Sequence, residues 1–182
     1  MAKKLPVIID NRGNNTVLRA LQKLLPNLQK MDIATGVFEV GPLLLLEGLW
    51  QDLDKIRVLM GDETTKRTKR EIIKAMLEVS NQSIEREKGR DDALTGLAAV
   101  RQAITNKQIT LKTYSKAKFH AKSYLMESKE ASPVDFAIVG SSNFTRSGLT
   151  ENLELNLFST DQAHIENLRN WYEEIWKDGD DV

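Results

Sequence analysis

The sequence predicts a mixed α/β fold, a largely parallel β-sheet flanked by helices. Three observations lead there. Apolar runs of strand length recur along the chain, separated by segments whose apolar residues fall at helical spacing. The order strand, helix, strand across residues 31–60 favours a crossover, and a crossover joins parallel strands. Between Phe119 and Phe158, three alternating apolar runs separated by turn residues read as three strands.

Taken in order, Val7 to Ile9 is a short apolar run, and Asn14 or Asn15 is the expected cap of a helix carrying Val17, Leu18, Leu21, Leu24 and Leu25. Pro26 ends that helix. Met31 to Val40 reads as a buried strand, with Gly36 marking a close approach. Pro42 opens a second helix expected to run to about Leu53. Lys55 to Met60 follows as the parallel partner strand. Asp62 to Val79 has Ile72, Ile73, Met76 and Leu77 at helical spacing. Its cluster Lys66, Arg67, Lys69 and Arg70 reads as a solvated face rather than a phosphate contact, because Asp62, Glu63, Glu71 and Glu78 interleave with it. Ser80 to Arg90 is either helix or connection. Asp91 to Ile104 is helical with Leu94, Leu97, Ala98 and Ile104 inward, and Ile109 to Tyr114 is a strand leading through a lysine-rich link. Thr160 or Asp161 caps a last helix with the stripe Ile165, Leu168, Tyr172, Ile175 and Trp176. Trp171 and Trp176 are read as packing residues rather than base-stacking platforms.

If Phe119 to Met126 is extended, His120 and Lys122 share one face, with Phe119, Ala121 and Leu125 on the other. A nucleophile or base therefore sits beside a cation. The strand from Phe136 to Val139 ends in Gly140-Ser141-Ser142-Asn143, where small polar groups offer donors at a strand end. In the third run Asn152, Glu154 and Asn156 share one face, and Leu153, Leu155 and Leu157 are expected to pack into a core from the other.

The pattern His120-x-Lys122, then Gly140-Ser141-x-Asn143, then Glu154 eleven positions after the asparagine, resembles the HKD motif of the phospholipase D superfamily. It is most similar to the nuclease branch, which includes PLD-like domains attached to restriction enzymes and DNA helicases. The likeness covers about the last third of the chain, and the segment G-S-S-N-F-T-R-S-G-L is its most distinctive part. Glu127 stands where the family often has aspartate, a position that is chiefly structural there. The insert from Ser128 to Asp135 is longer than the most compact motif, and a hairpin loop can absorb it.

The resemblance implies a phospholipase D-like sheet with helices on both faces and a metal-independent phosphodiesterase, a DNA endonuclease working through a phosphohistidine. In that scheme His120 attacks phosphorus while a second His120 protonates the leaving oxygen. Lys122 and Asn143 hold non-bridging oxygens, and Glu154 accepts a hydrogen bond from the His120 ring. Ser141 is an additional phosphate or neighbouring donor, and Arg146 a candidate contact to a substrate phosphate. Ser142, Thr145 and Glu127 are read as structural. Because the chain carries a single H-x-K, two copies would be needed, so a homodimer with a composite active site is expected. DNA is the expected partner, with a helicase/ATPase domain or a restriction-system subunit as the partner class of this branch. No cofactor and no metal are expected.

Composition narrows the alternatives. Lysine plus arginine and aspartate plus glutamate number 26 each, so no whole-molecule field marks a polyanion ligand. The absence of cysteine excludes disulfides, thiolate zinc sites and a cysteine nucleophile. The two histidines, His120 and His164, are too few for a histidine-rich metal centre, and His164 near a helix N-terminus is assigned no catalytic role. Residues 1–182 read as one domain. The acidic ending suits either a natural terminus or excision from a longer restriction or helicase protein. The N-terminus lacks a secretory pattern and no apolar run approaches the ~20 residues of a bilayer span, so no membrane and a cytoplasmic location are expected. The competing functions are a nucleic-acid-binding module without turnover and phospholipid headgroup chemistry.

Overall fold

In the computed structural model, which describes residues 5–61, 91–129 and 134–182, the strand-forming runs assemble into one eight-stranded sheet. The strands are β1 (Ile8–Ile9), β2 (Leu28–Thr35), β3 (Lys55–Gly61), β4 (Ile109–Tyr114), β5 (Ser123–Ser128), β6 (Phe136–Gly140), β7 (Asn156–Ser159) and β8 (Asp180–Asp181). Their spatial order is β1-β7-β6-β5-β2-β3-β4-β8. The expected parallel pair β2–β3 is present, and β3–β4 is also parallel. Every other pairing in the sheet is antiparallel, which corrects the expectation of a largely parallel sheet. The link from β5 to β6 is too short for a crossover and can only turn the chain back. The basic cluster at Lys66 to Arg70 and the stretch Ser80 to Arg90 lie outside the described residues.

The α-helices among the described residues are α1 (Val17–Leu24), α2 (Gly41–Leu45), α3 (Asp91–Thr105), α4 (Arg146–Thr150) and α5 (Gln162–Lys177). Helix α1 turns Val17, Ala20, Leu21 and Leu24 inward, the stripe that 3.6-residue periodicity demands. Its cap is Thr16, whose hydroxyl accepts the Arg19 N–H. Asn15, one of the two expected caps, instead folds the preceding loop by donating to the Ile8 carbonyl and to Asp10. Helix α2 is shorter than expected, and β2 stops at Thr35, before Gly36. Among the described side chains of α3, Val100 and Ala103 are buried apolar residues with Leu97 and Ile104 beside them, and the predicted inward Leu94 lies outside the described side chains.

Helices α1 to α4 and Trp50 cover one face of the sheet, over Ile33, Val58, Tyr124 and Ile138. Helix α5, capped by Asp161, covers the other face, setting Ile165 and Tyr172 on Ala34, Leu59, Leu125 and Ala137. Trp171 and Trp176 pack against this second cluster, as read from their place on the stripe.

Helix α5 reaches only the middle of the sheet, and this reverses one expectation. Leu153, Leu155 and Leu157 are 77%, 64% and 50% exposed, not buried. Alternation along the run holds, but β7 lies near the sheet end beyond α5, and β7 itself begins only at Asn156. The side that faces the larger core carries Phe158 and the buried Asn156, whose amide donates to the Ile9 carbonyl and Ser142 Oγ while its oxygen accepts the Ser142 N–H.

A charged clamp fixes α5 to the sheet. Arg57 on β3 donates two bonds to Asp32 on β2, at 2.6 and 2.7 Å, and one to Glu173 on α5 at 2.5 Å. Its guanidinium also lies over the rings of Tyr172 and Trp176, at 5.1 and 5.3 Å. Burial works against the Arg57 charge, but the bonds to Asp32 and Glu173 outweigh it and raise its pKa above the ordinary arginine value. Arg57→Ala strands the half-buried Asp32 carboxylate and removes the stacking, so urea denaturation should show a loss of about 2 kcal/mol. A change within ~0.5 kcal/mol, the usual range for a surface substitution, would show the clamp to be idle.

Candidate active site

The C-terminal ends of β2, β3 and β6 and the N-terminal ends of β5 and β7 lie along one edge of the sheet. His120 and Lys122 are carried there by the segment before β5, because the expected strand from Phe119 starts only at Ser123. Two glycines let that segment cross closely over the strand ends. A Cβ on Gly61 would lie 2.9 Å from the Gly36 carbonyl oxygen and 3.0 Å from that of Phe119. A Cβ on Gly36 would lie 3.3 Å from Asn143 Oδ1 and 3.4 Å from Lys122 Nζ. Lys122 and Asn143, 21 residues apart in sequence, thus flank one glycine.

Lys122 is 7% exposed, and its ammonium donates to the His120 carbonyl at 2.9 Å. Burial pulls its pKa below the ordinary lysine value, and the nearby Glu154 carboxylate opposes that pull. The same carboxylate adds to burial in raising the Tyr124 phenol. The His120 side chain is exposed and lines a cleft of about 430 Å³ with Gly36, Gly61, Lys118 and Phe119.

Asn143 is oriented from β2. Its Oδ1 accepts the Val37 N–H at 3.0 Å and lies 3.3 Å from the Thr35 hydroxyl. With the oxygen engaged there, the amide NH₂ is the group left for a phosphoryl oxygen. The fully buried Thr35 hydroxyl also donates to the Val37 carbonyl at 2.6 Å and accepts the Phe144 N–H at 2.9 Å. Stacking of Phe38 on Phe144, 5.5 Å between centroids, and the Glu39 N–H bond to the Phe144 carbonyl continue this clip. Sequence reading missed Thr35. A threonine closing an apolar strand before glycine signals only strand propensity.

Glu154 accepts the Ser141 hydroxyl and, at 3.4 Å, the Asn152 amide. Its backbone N–H reaches the Asp10 carbonyl at 3.3 Å. The bond expected from the His120 ring is not among those that hold Glu154 in the described residues. Ser141 also accepts the Leu155 N–H, so its hydroxyl supports Glu154 from within the loop. Arg146 opens α4 with an exposed side chain 4.0 Å from Glu151. Ser142 is buried against Asn156, and Thr145 caps α4 by accepting the Gly148 N–H. Glu127 lies toward the far end of β5, paired with Lys30 at 3.1 Å, and His164 sits in the first turn of α5. Among the described residues no group of three or more His, Cys, Asp or Glu side chains is placed to hold a metal ion.

A mixed sheet with helices on both faces, together with a family profile over most of the chain, makes this a protein of the phospholipase D superfamily. The chain belongs to the family described as "Cardiolipin synthase, PLD-like domain", whose profile matches residues 29–176. No curated protein matches the sequence. Solved structures share the fold at low identity. Nuc from Salmonella typhimurium, a phospholipase D family member, has a TM-score of 0.53 at 16% identity, over 90% of this chain and 88% of that one. NucT from Helicobacter pylori has a TM-score of 0.55 at 14% identity, over 91% of each chain. Yeast tyrosyl-DNA phosphodiesterase has a TM-score of 0.51 at 15% identity, over 84% of this chain and 31% of that one.

The buried lysine provides a direct test of the geometry. An ammonium is charged below its pKa, so burial should bring the Lys122 titration, followed by NMR, below the roughly 10.4 of a free lysine. Glu154→Gln removes the opposing carboxylate and should lower the midpoint further. An unchanged or higher midpoint in that variant would show that the two groups do not sense each other.

Proposed function

We propose that this protein is a metal-independent phosphodiesterase that cleaves DNA through a phosphohistidine, acting as a homodimer with one composite active site. The observation that carries the reading is the convergence of Lys122 and Asn143 on the strand-end opening beside His120, with Glu154 close enough to act on Lys122. Lys122 supplies charge and Asn143 amide donors to the phosphoryl oxygens, the work otherwise done by a metal ion.

In the first step the His120 ring nitrogen attacks phosphorus, forming a P–N bond as the P–O bond to the leaving group breaks. His120 of the partner subunit gives its proton to the leaving oxygen. In the second step that now neutral imidazole takes a proton from water, the hydroxyl oxygen attacks phosphorus, and the P–N bond breaks to restore His120. Glu154, steadied by Ser141, would accept from the ring and favour the imidazolium once substrate draws His120 inward. Arg146 would contact a neighbouring phosphate. A helicase/ATPase domain or restriction subunit is the proposed context. The family description favours one competing substrate, a phospholipid headgroup diester, which the same chemistry would serve.

Incubation of the protein with plasmid DNA and, separately, with phospholipid vesicles in excess EDTA tests the reading. DNA cleavage should persist, and His120→Ala should lower it by about three orders of magnitude while DNA binding survives. Strict dependence on added metal, lipid turnover without DNA cleavage, or wild-type rates in His120→Ala would overturn the proposal.

The exposed leucines support the dimer. Ile8, Val139 and Leu157 are register partners on the sheet face that α5 leaves open, and Leu155 continues them towards Ser141 and Glu154. A second copy seated on this apolar face would place its own His120 at the shared edge. Mixing His120→Ala and wild-type chains should depress turnover below the wild-type fraction, since heterodimers lose either the nucleophile or the acid. Activity proportional to that fraction, or an active monomer in sedimentation, would sink the composite site.

A further inference from the structure

We infer that α1 and the loop before it form an extended subsite that holds the phosphate backbone of a nucleic-acid strand leading away from the scissile phosphate. The inference rests on the phosphodiesterase reading and deepens it. A groove of about 830 Å³ runs along this surface, lined by Arg12, Asn14, Asn15, Arg19, Gln22 and Lys23, with Pro6 at one end. Among the described residues its lining contains three cations, no carboxylate and no aromatic ring.

The charge is a local feature of a neutral chain. The first 31 residues hold six lysines and arginines (Lys3, Lys4, Arg12, Arg19, Lys23 and Lys30) against the single acid Asp10, so the rest of the chain carries the matching negative excess. Asp10 offsets the charge of Arg12 while its hydrogen bonds shape the loop, so the groove's net positive charge comes from Arg19 and Lys23. The Asp10 carboxylate accepts the Arg12 Nε at 2.5 Å, the Arg12 N–H at 3.2 Å and the Asn15 amide at 3.0 Å. Those bonds, the Arg12 side chain's first, hold its carboxyl below the usual carboxylate range. Arg12 is fixed through Nε while its side chain stays 80% exposed, which presents the outer guanidinium nitrogens to solvent. Asn11 locks the loop, adopting φ 62°, donating to the Gly148 carbonyl at 2.9 Å and accepting the Val17 N–H.

The loop that lines the groove is tied to the candidate site by one backbone bond. The Asp10 carbonyl that receives the Glu154 N–H is two residues from Arg12. Arg19 and Lys23 stand one helical turn apart on the exposed side of α1, about 6 Å in rise. A strand bound at the scissile phosphate can therefore continue past Arg12 to Arg19 and Lys23. Cations and amides without aromatic platforms suit phosphate and sugar rather than bases, so recognition here is independent of sequence. An anionic membrane would call for apolar side chains to insert, and among the described residues the groove offers only Pro6.

The test compares wild type with Arg19→Gln/Lys23→Gln, at two exposed positions of α1. The readout is the ratio of kcat/KM for a 30-nucleotide single strand to that for a dinucleotide too short to reach α1. The ratio should fall about tenfold, and the slope of log K for the strand against log salt should shrink by about 1.4 for two lost phosphate contacts. An unchanged ratio and slope, an equal loss on both substrates, or a variant that loses only binding to cardiolipin vesicles would overturn the inference. A wild-type protein that cuts neither substrate would sink the phosphodiesterase reading instead. The groove is then judged by fluorescence anisotropy of the same strand, where the double variant must bind about tenfold more weakly and equal affinity refutes it.

Discussion

The close crossing of the Phe119 to Lys122 segment over the ends of β2 and β3 is the constraint on which the site depends. That crossing requires bare backbone at Gly36 and Gly61, since a Cβ at Gly61 would meet two carbonyl oxygens at 2.9 and 3.0 Å. Because β2 and β3 are parallel and in register, both glycines arrive at the same level of the sheet edge. Lys122 is thereby pressed into low-exposure surroundings beside Asn143, and the histidine two residues earlier stays open to the cleft.

The polar groups around this crossing are ordered by hydrogen bonds, buried at Asn156 and exposed at Glu154. Thr35 and Val37, at the end of the central strand β2, fix the oxygen of Asn143, so the amide's donors have one direction. Ser141 and Asn152 hold Glu154, and Asn156 knots β1, β7 and the loop after β6 from beneath. In the proposed reaction, an Asn143 amide held this way would need no rearrangement when negative charge develops on a phosphoryl group. The cost falls on Lys122, whose desolvation is only partly offset by Glu154.

The two faces of the sheet divide the remaining tasks. Helix α5, clamped through Arg57, seals one face but ends short of β7 and β1, leaving Leu155, Leu157 and Ile8 uncovered. The other face is closed by α1, whose buried stripe faces the core while its outer side bears Arg19 and Lys23. An apolar surface and a cationic groove thus approach the same edge from opposite sides of the sheet.

The sequence by itself determined the strands that match local alternation, β3, β4 and β6, the parallel β2–β3 pair and the stripe of α5, and it named His120, Lys122, Asn143 and Glu154 as the candidate set. These follow from spacing along the chain and from motif residues that need not be adjacent to be recognised. It also carried the alternation of Leu153, Leu155 and Leu157, but alternation states only that they share a side. Which side is core depends on where α5 stops, and that is a property of the packed sheet. The antiparallel majority of the sheet and the exchange of Asn15 for Thr16 as a cap were likewise settled by neighbours. So were the Ser141 bond to Glu154 and the hold of Thr35 on Asn143, 108 residues away. Contacts between residues that distant leave no local signature, because the physical demand on each is met by a partner that only folding brings near.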